Sequence, residues 1–390
     1  MLQRFRTRSL LHVIMGSSFL LNLSFGAYRS VFSNFAGQEL GISYAQYGLL
    51  EGIREIPGLL TILLVALAYR VRDERLYAIS GGLIGAGIWM YAGADSYVDL
   101  IFATLVQSVG FHVWHVVQDS MVIKSAATGD RAGLLGKINA IAAAATLTGM
   151  MVVWTTGHWV PLRQYFIYAG MAGVLGAFAA LTMRPAADAG PRPGFVFRWQ
   201  YRTYYILTLM AGARRHMVLT FASFALVKLY DTPVQTMALL LAIYSFLAIW
   251  TRPYIGKIID RIGEQRALSF NYGFVALLFL GYAFIRNPMV AYVIYVVDNL
   301  MTGFDIAVST HAGRIIPRGE LSPSLATGTT INHIFGVAVP VMGGLLWEWF
   351  GPVIPFMMGV VIVTAAMLFS WNLDARVGTL SPTEAGAAGG

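Results

Sequence analysis

Twelve apolar stretches, each long enough to cross a bilayer, fill nearly the whole of this chain, separated by short polar segments. Hydrophobic residues make up 57% of the sequence and charged ones 12%, more apolar surface than a soluble core absorbs. The chain reads as an all-α, polytopic membrane protein. Runs of about 18 to 25 apolar residues place spans near 10–28, 45–68, 77–94, 98–123, 134–157 and 163–183. Six more fall near 204–229, 232–255, 267–285, 289–312, 325–347 and 352–372.

Lys and Arg are retained on the cytoplasmic side of a membrane protein, so their distribution sets the expected orientation. One set of alternating segments holds Arg4, Arg6, Arg8, Arg70, Arg72, Arg75, Lys124, Arg131, Lys137, Arg184, Arg192, Arg198, Arg202, Arg252, Lys257, Arg261, Arg266, Arg314, Arg318 and Arg376; the other holds Arg29, Arg163, Lys228 and Arg286. Twenty against four puts both termini in the cytoplasm, with a bacterial or archaeal inner membrane as the expected location. The net charge of +8 is then a topological signal and gives no ground for a nucleic-acid partner. The first apolar run follows basic residues but lacks a small-residue cleavage site, so it reads as a retained helix, not a signal peptide. Without cysteine the chain has no disulfide, thiolate metal site or cysteine nucleophile.

A segment with Pro185, Gly190, Pro191, Pro193 and Gly194 among four arginines separates six spans from six. The expected organisation is a bundle over 1–184, a cytoplasmic linker over 185–202, a second bundle over 203–374 and a disordered tail over 375–390. A short internal repeat sets Ile138-Asn139 against Ile331-Asn332 and, at the same offset, Trp154 against Trp347.

Between spans eight and nine stands Gly256-Lys-Ile-Ile-Asp260-Arg261-Ile-Gly263-Glu264-Gln265-Arg266. Gly256 would allow close helix approach, Asp260 would cap a helix or pair with a base, and Gly263 would allow a tight turn. This stretch resembles the cytoplasmic loop signature of the major facilitator superfamily, departing from it at Glu264-Gln265, where two basic residues are usual. The corresponding first-half loop, Arg70 to Arg75, keeps the charge without the glycines. With twelve spans and a central linker, the resemblance covers about residues 9–374. It implies two six-helix bundles, alternating access and a central cavity lined by spans one, four, seven and ten. Gly336 to Gly344, with Pro340, is similar in spacing to the antiporter signature of that superfamily's exporters, and equally suits a small-faced packing helix.

An ionisable side chain at mid-bilayer costs at least about 2.5 to 3.5 kcal/mol on insertion scales, so each one marks a partner or a watery cavity. Span two carries Glu51, Arg54 and Glu55; span four His112, His115 and Asp119; span seven Arg214, Arg215 and His216; span ten Asp298, Asp305 and His311; span eleven Asn332 and His333. Adjacent helix positions diverge by about 100°, so Arg214 and Arg215 cannot both enter one narrow cavity. One is expected to pair with a carboxylate, the other to meet an anionic group or tune a neighbouring acid. His112, His115 and Asp119 share a helical face, and an offset of 186 residues aligns His112 with Asp298 and Asp119 with Asp305. Arg54 can reach Glu51 three residues away. Away from the span ends five acids, Glu51, Glu55, Asp119, Asp298 and Asp305, stand against three arginines, Arg54, Arg214 and Arg215, an excess that fits proton coupling.

The reading is a proton-coupled secondary transporter of a small organic solute, antiport favoured, working as a monomer without cofactor. Two alternatives stay open. The histidines and aspartates of spans four and ten could serve a divalent metal, although nearby arginines oppose it; a non-transporting sensor could keep the same architecture. No His-Glu-x-x-His, Gly-x-Ser-x-Gly or phosphate-binding Gly-Lys loop is present, which speaks against an enzyme.

Overall fold

The protein, seen in a computed structural model, is described over residues 2–68, 71–125, 131–183, 197–371 and 373. Arg70, Arg184, Arg192, Arg376, the linker core and the tail expected over 375–390 lie outside the described residues. Helices appear where the apolar runs require them. In order these are α1 (Leu2–Asn34), α2 (Tyr44–Leu59), α3 (Thr61–Leu67), α4 (Asp73–Met90), α5 (Tyr97–Ser125), α6 (Arg131–Thr156), α7 (Leu162–Leu181) and α8 (Arg202–His216). There follow α9 (Ser223–Tyr230), α10 (Val234–Ile262), α11 (Glu264–Phe284), α12 (Pro288–Met301), α13 (Ile306–Ile315), α14 (Arg318–Phe350) and α15 (Val353–Trp371). Joined across short breaks at α2/α3, α8/α9 and α12/α13, the described helices form the twelve rods expected.

Ten of these rods are long and apolar enough to cross a membrane. The other two, α2/α3 and α8/α9, are the rods that hold Glu51, Arg54 and Glu55 and Arg214, Arg215 and His216. Charge and helix breaks coincide there. In α2, Pro57 and Gly58 precede a one-residue turn at Leu60, since proline supplies no N–H to the helix ladder. Between α8 and α9 the chain winds into a π turn, Met217–Ala222, an irregularity often found at functional positions.

Several boundaries correct the sequence reading. The first rod does not end near residue 28: α1 runs on through a π turn at Phe35–Glu39, so Arg29, assigned above to an outer segment, is helical. The added turns are polar yet satisfied. Ser30 Oγ donates to the Gly26 carbonyl at 2.9 Å, and Asn34 Nδ2 donates to Gln38 at 2.9 Å and to the Thr232 carbonyl at 2.8 Å. Similarly α10 continues past residue 255 to Ile262, so Gly256, Lys257, Asp260 and Arg261 belong to the same helix as Arg252 and the connection to α11 is Gly263 alone. Lys and Arg sustain a helix well where the apolar run stops.

The chain divides into two compact units, one of Met1–Arg192 with Ser223–Phe246, the other of Pro193–Ala222 with Leu247–Gly390. In the first unit, small residues let backbones meet: a Cβ on Gly26 would lie 2.2 Å from the Thr146 carbonyl oxygen of α6, and one on Gly149 would lie 2.4 Å from that of Leu23. Ser223–Phe246 is held in this unit by a stack of Phe224 on Tyr47, centroids 3.8 Å apart, and by Lys228 Nζ on the Gly37 carbonyl at 3.1 Å. In the second unit α8 packs on α14, and α11 on α15. Gly343 of α14 lies where a Cβ would stand 2.4 Å from the Phe221 ring, so part of the Gly/Pro stretch seats a neighbour. The repeat pairs are not equivalent in burial: Asn139 and Trp154 are exposed, while Asn332 and Trp347 are buried.

Candidate functional site

In the first unit the polar centre is the α2 pair. Arg54 Nη1 donates to Glu51 Oε1 one turn away, and the guanidinium lies 4.4 Å from the centre of the Phe32 ring and 5.9 Å from that of Tyr28. Cation–π contact and the ion pair together hold the charge. Even so, Nε and Nη2 of Arg54 are buried with no hydrogen-bond partner among the described residues. Tyr28 stacks on Tyr91 at 5.4 Å, and the Tyr47 hydroxyl meets Ser33 Oγ at 3.1 Å. The cluster is thus an arginine–acid pair inside an aromatic wall. Arg29 adds a second positive charge within electrostatic reach of Glu51.

Along α5, Ser108 Oγ donates to the Arg54 carbonyl and meets His112 Nδ1 at 3.1 Å. His112 is half-buried and His115 and Asp119 are exposed, so the three share an unburied face of the helix. His115 sits edge-on between Phe111, at 4.7 Å, and Trp114, at 4.9 Å.

The second unit holds a deeper pair. Arg214, with no solvent exposure, donates through Nη2 to both the Asp298 carbonyl oxygen at 2.8 Å and Asp298 Oδ1 at 3.0 Å. That single nitrogen carries both bonds. Arg214 Nε and Nη1 and Asp298 Oδ2 are buried without a hydrogen-bond partner among the described residues. Arg215 is exposed and His216 buried, the divergence that helix geometry demands. Two turns beyond Asp298, Asp305 closes a 3-10 turn, Thr302–Asp305. It is half-buried, and among the described residues its Oδ1 lacks a partner and it makes no ion pair within 4 Å. Arg214, Arg215 and Arg252 stand within electrostatic reach of it.

Arg252 and Arg29 revise the charge census. Both are helical and act on the acids named from sequence, Arg29 on Glu51 and Arg252 on Asp305, so with the three arginines counted above they set five against those five acids.

Other candidates are used in packing. Asn332 Nδ2 donates to the Thr208 carbonyl at 3.0 Å, and its backbone carbonyl lies 2.6 Å from where a Cβ on Gly212 would stand, so it welds α14 to α8. His333 and His311 are half-buried. In the signature stretch, Gly263 turns the chain at φ 81°, ψ 159°, but Gly256 faces open space; the expected close approach there is absent because no described helix covers that face. Asp260, Arg261 and Arg266 are exposed. The departure at Glu264-Gln265 is accounted for: Glu264 is buried and takes Arg314 at 2.9 Å, while Gln265 Nε2 donates to the Trp371 carbonyl that ends α15.

Three contacts escaped sequence reasoning. Tyr272 of α11, fully buried, lies within reach of the Asp305 and Arg214 charges; an aromatic inside an apolar run gives no warning of that. Arg163 bridges Glu39 and Asp95. Arg198 and the Tyr201 hydroxyl both bind the Glu320 carboxylate, and the tyrosine first, then the arginine, hold Glu320 below the usual carboxylate range.

Apolar helical rods with ion pairs buried inside them are the build of a membrane transporter. The family described as the Major Facilitator Superfamily matches residues 14–310, and the chain belongs to it. No curated protein matches in sequence. Among solved structures it is similar to the nucleoside transporter NupG, with a TM-score of 0.74 and 15% identity over 92% of this chain and 98% of the other. A single-residue mutant of NupG gives a TM-score of 0.78 at 14% identity, over 93% of this chain and 98% of the other. The chain is likewise similar to a bacterial homologue of the human lysosomal transporter Spinster, inward-facing and occupied, with a TM-score of 0.73 and 14% identity over 95% and 98%. At such identities the likeness is one of fold.

Proposed function

We propose that this chain is a secondary active transporter that carries a small organic solute across the membrane by alternating access and exchanges it against protons at Asp305. The observation that supports this reading is the environment of that acid. Asp305 makes no ion pair among the described residues, yet it stands within electrostatic reach of Arg214, the buried partner of Asp298, with one oxygen lacking a donor. It can take up and release a proton without disturbing a salt bridge, whereas a proton on Asp298 cancels the charge that Arg214 pairs with. Exchange, in which solute and proton occupy the acid in turn, is the simplest coupling scheme. The two six-helix halves, the inward termini and the inner-membrane location remain part of this reading, as does action by a single chain. Asp119, exposed on α5, is the second acid to test, with Glu51 and Glu55 after it.

Nucleosides head the solutes worth testing, because NupG, a protein of similar fold, is a nucleoside transporter; a broader panel follows. In proteoliposomes with an imposed pH gradient and an internal pH dye, at least one solute should evoke proton movement with the wild type. Asp305→Asn should abolish gradient-driven uptake while leaving downhill solute exchange measurable. Uptake that depends on sodium and survives collapse of the proton gradient would overturn the proton half of the proposal.

A further inference from the structure

The buried polar atoms around Asp305 are too many to be left dry. Arg214 Nε and Nη1, Asp298 Oδ2, Asp305 Oδ1 and the Tyr272 hydroxyl are all buried without a hydrogen-bond partner among the described residues, and Arg214, Tyr272 and Asp298 have no exposed surface. A buried polar group without a partner costs about 1–3 kcal/mol, more when charged. Five such atoms, on Arg214, on the Asp298 it bonds, and on Asp305 and Tyr272 within electrostatic reach of that arginine, call for internal water, which typically makes about three hydrogen bonds to groups of this kind. Two of the atoms are donor sites of a cation and two are carboxylate oxygens. The fifth, the tyrosine hydroxyl, both donates and accepts. α11, which carries it, packs against α12, the 3-10 turn and α13, and Tyr272 lies within electrostatic reach of Asp305 and Arg214.

We propose that Tyr272 is a positioning residue for proton transfer, ordering a chain of internal waters between Asp305 and the Arg214–Asp298 pair. This deepens the preceding reading and rests on Asp305 as the proton acceptor. In each transfer the Asp305 O–H bond breaks and its proton bonds to a water oxygen. That water passes one of its own protons to the tyrosine oxygen, Tyr272 releases its original proton to the next water, and that water passes one of its own to Asp298 Oδ2, the carboxylate oxygen that takes no hydrogen bond among the described residues. Each oxygen keeps its electron pairs, the tyrosine stays neutral before and after, and one proton has moved. The groups acting on Asp305 are Arg214 and Arg215 from α8, Arg252 from α10 and Tyr272 from α11; its own rod also carries Asp298, His311 and Arg314.

The test needs no solute. Full-length protein reconstituted on a solid-supported membrane is given a step in pH, and the capacitive current of proton binding is recorded in H₂O and D₂O. Wild type should give a current slowed in D₂O. Tyr272→Phe keeps the ring and its packing, and should slow the relaxation tenfold or more with its total charge unchanged. Tyr272→His, which restores a proton-carrying group, should recover most of the rate. Thermal unfolding in detergent confirms that each variant is folded. If Tyr272→Phe matches wild type in rate while Asp305→Asn removes the current, Asp305 titrates but the relay is wrong. If Asp305→Asn leaves the current intact, the underlying reading of Asp305 fails instead.

Discussion

Arg214 shows how much of a site one residue can reveal and how much it withholds. That two adjacent arginines inside an apolar run must diverge follows from helix geometry alone. Which of them is buried, and that its partner is Asp298, requires the packing of α8 against the rod that carries it. Tyr272 is illegible in sequence because a tyrosine in an apolar run carries the same signal whether it packs, anchors at an interface or touches a charge. Asn332 reads as a cavity residue and is a helix weld, since the Gly212 that admits it lies more than a hundred positions earlier in sequence. The Arg214–Asp298 pair makes a prediction at this scale. Removing one partner strands a charge away from bulk solvent, which costs about 3–5 kcal/mol, whereas replacing both with apolar groups of similar volume is often neutral. Arg214→Met alone and Asp298→Leu alone should therefore lower the thermal unfolding temperature sharply in detergent, and the double variant should regain most of the loss. A double variant as unstable as the sum of the singles would show that the pair contributes through something other than mutual compensation.

At the scale of the element, apolar runs locate the rods and misplace their ends. A charge normally ends a hydrophobic run, which stops span one short of Arg29, yet α1 continues into turns whose Ser30 and Asn34 find hydrogen-bond partners. Span eight stops short for the same reason, and its basic end is helical. The signature stretch is legible in its turn and misleading in its helix, because sequence shows where glycines stand and not what faces them. Gly263 and Gly256 separate these two uses. At φ 81° and ψ 159° Gly263 occupies backbone space that is essentially glycine's own, so Gly263→Ala should cost about 1–3 kcal/mol. Gly256 sits within α10 with nothing near a would-be Cβ, and Gly256→Ala should be neutral or stabilise by roughly 0.5–1 kcal/mol. Unfolding temperatures of the two variants, measured side by side, check both; equal effects would mean that the turn is not held as described.

For the whole molecule, the class and the number of rods are legible in the sequence, since a bilayer leaves so few ways to bury this much apolar surface. The composition of the packing units is not, because contacts between distant segments leave no local trace. The side of the membrane on which each end lies is a prediction drawn from the arginine and lysine asymmetry. A cysteine at Ser96, exposed between α4 and α5, should react with an impermeant thiol reagent from outside the cell, and one at Arg261 only after the membrane is opened. The reverse pattern would invert the topology. The lending of Ser223–Phe246 to the first unit also bears on how the protein is made. During synthesis the first six rods emerge with the seat for Phe224 and Lys228 still empty, and its occupants follow the whole linker and α8. At roughly 5–20 residues per second that is a delay of several seconds, in which Tyr47 and Gly37 face lipid or the insertion machinery. A gene split at the linker would lengthen that delay without limit. The two polypeptides could complete each other only by meeting in the membrane, so the first, made alone, is the natural target of quality-control proteolysis.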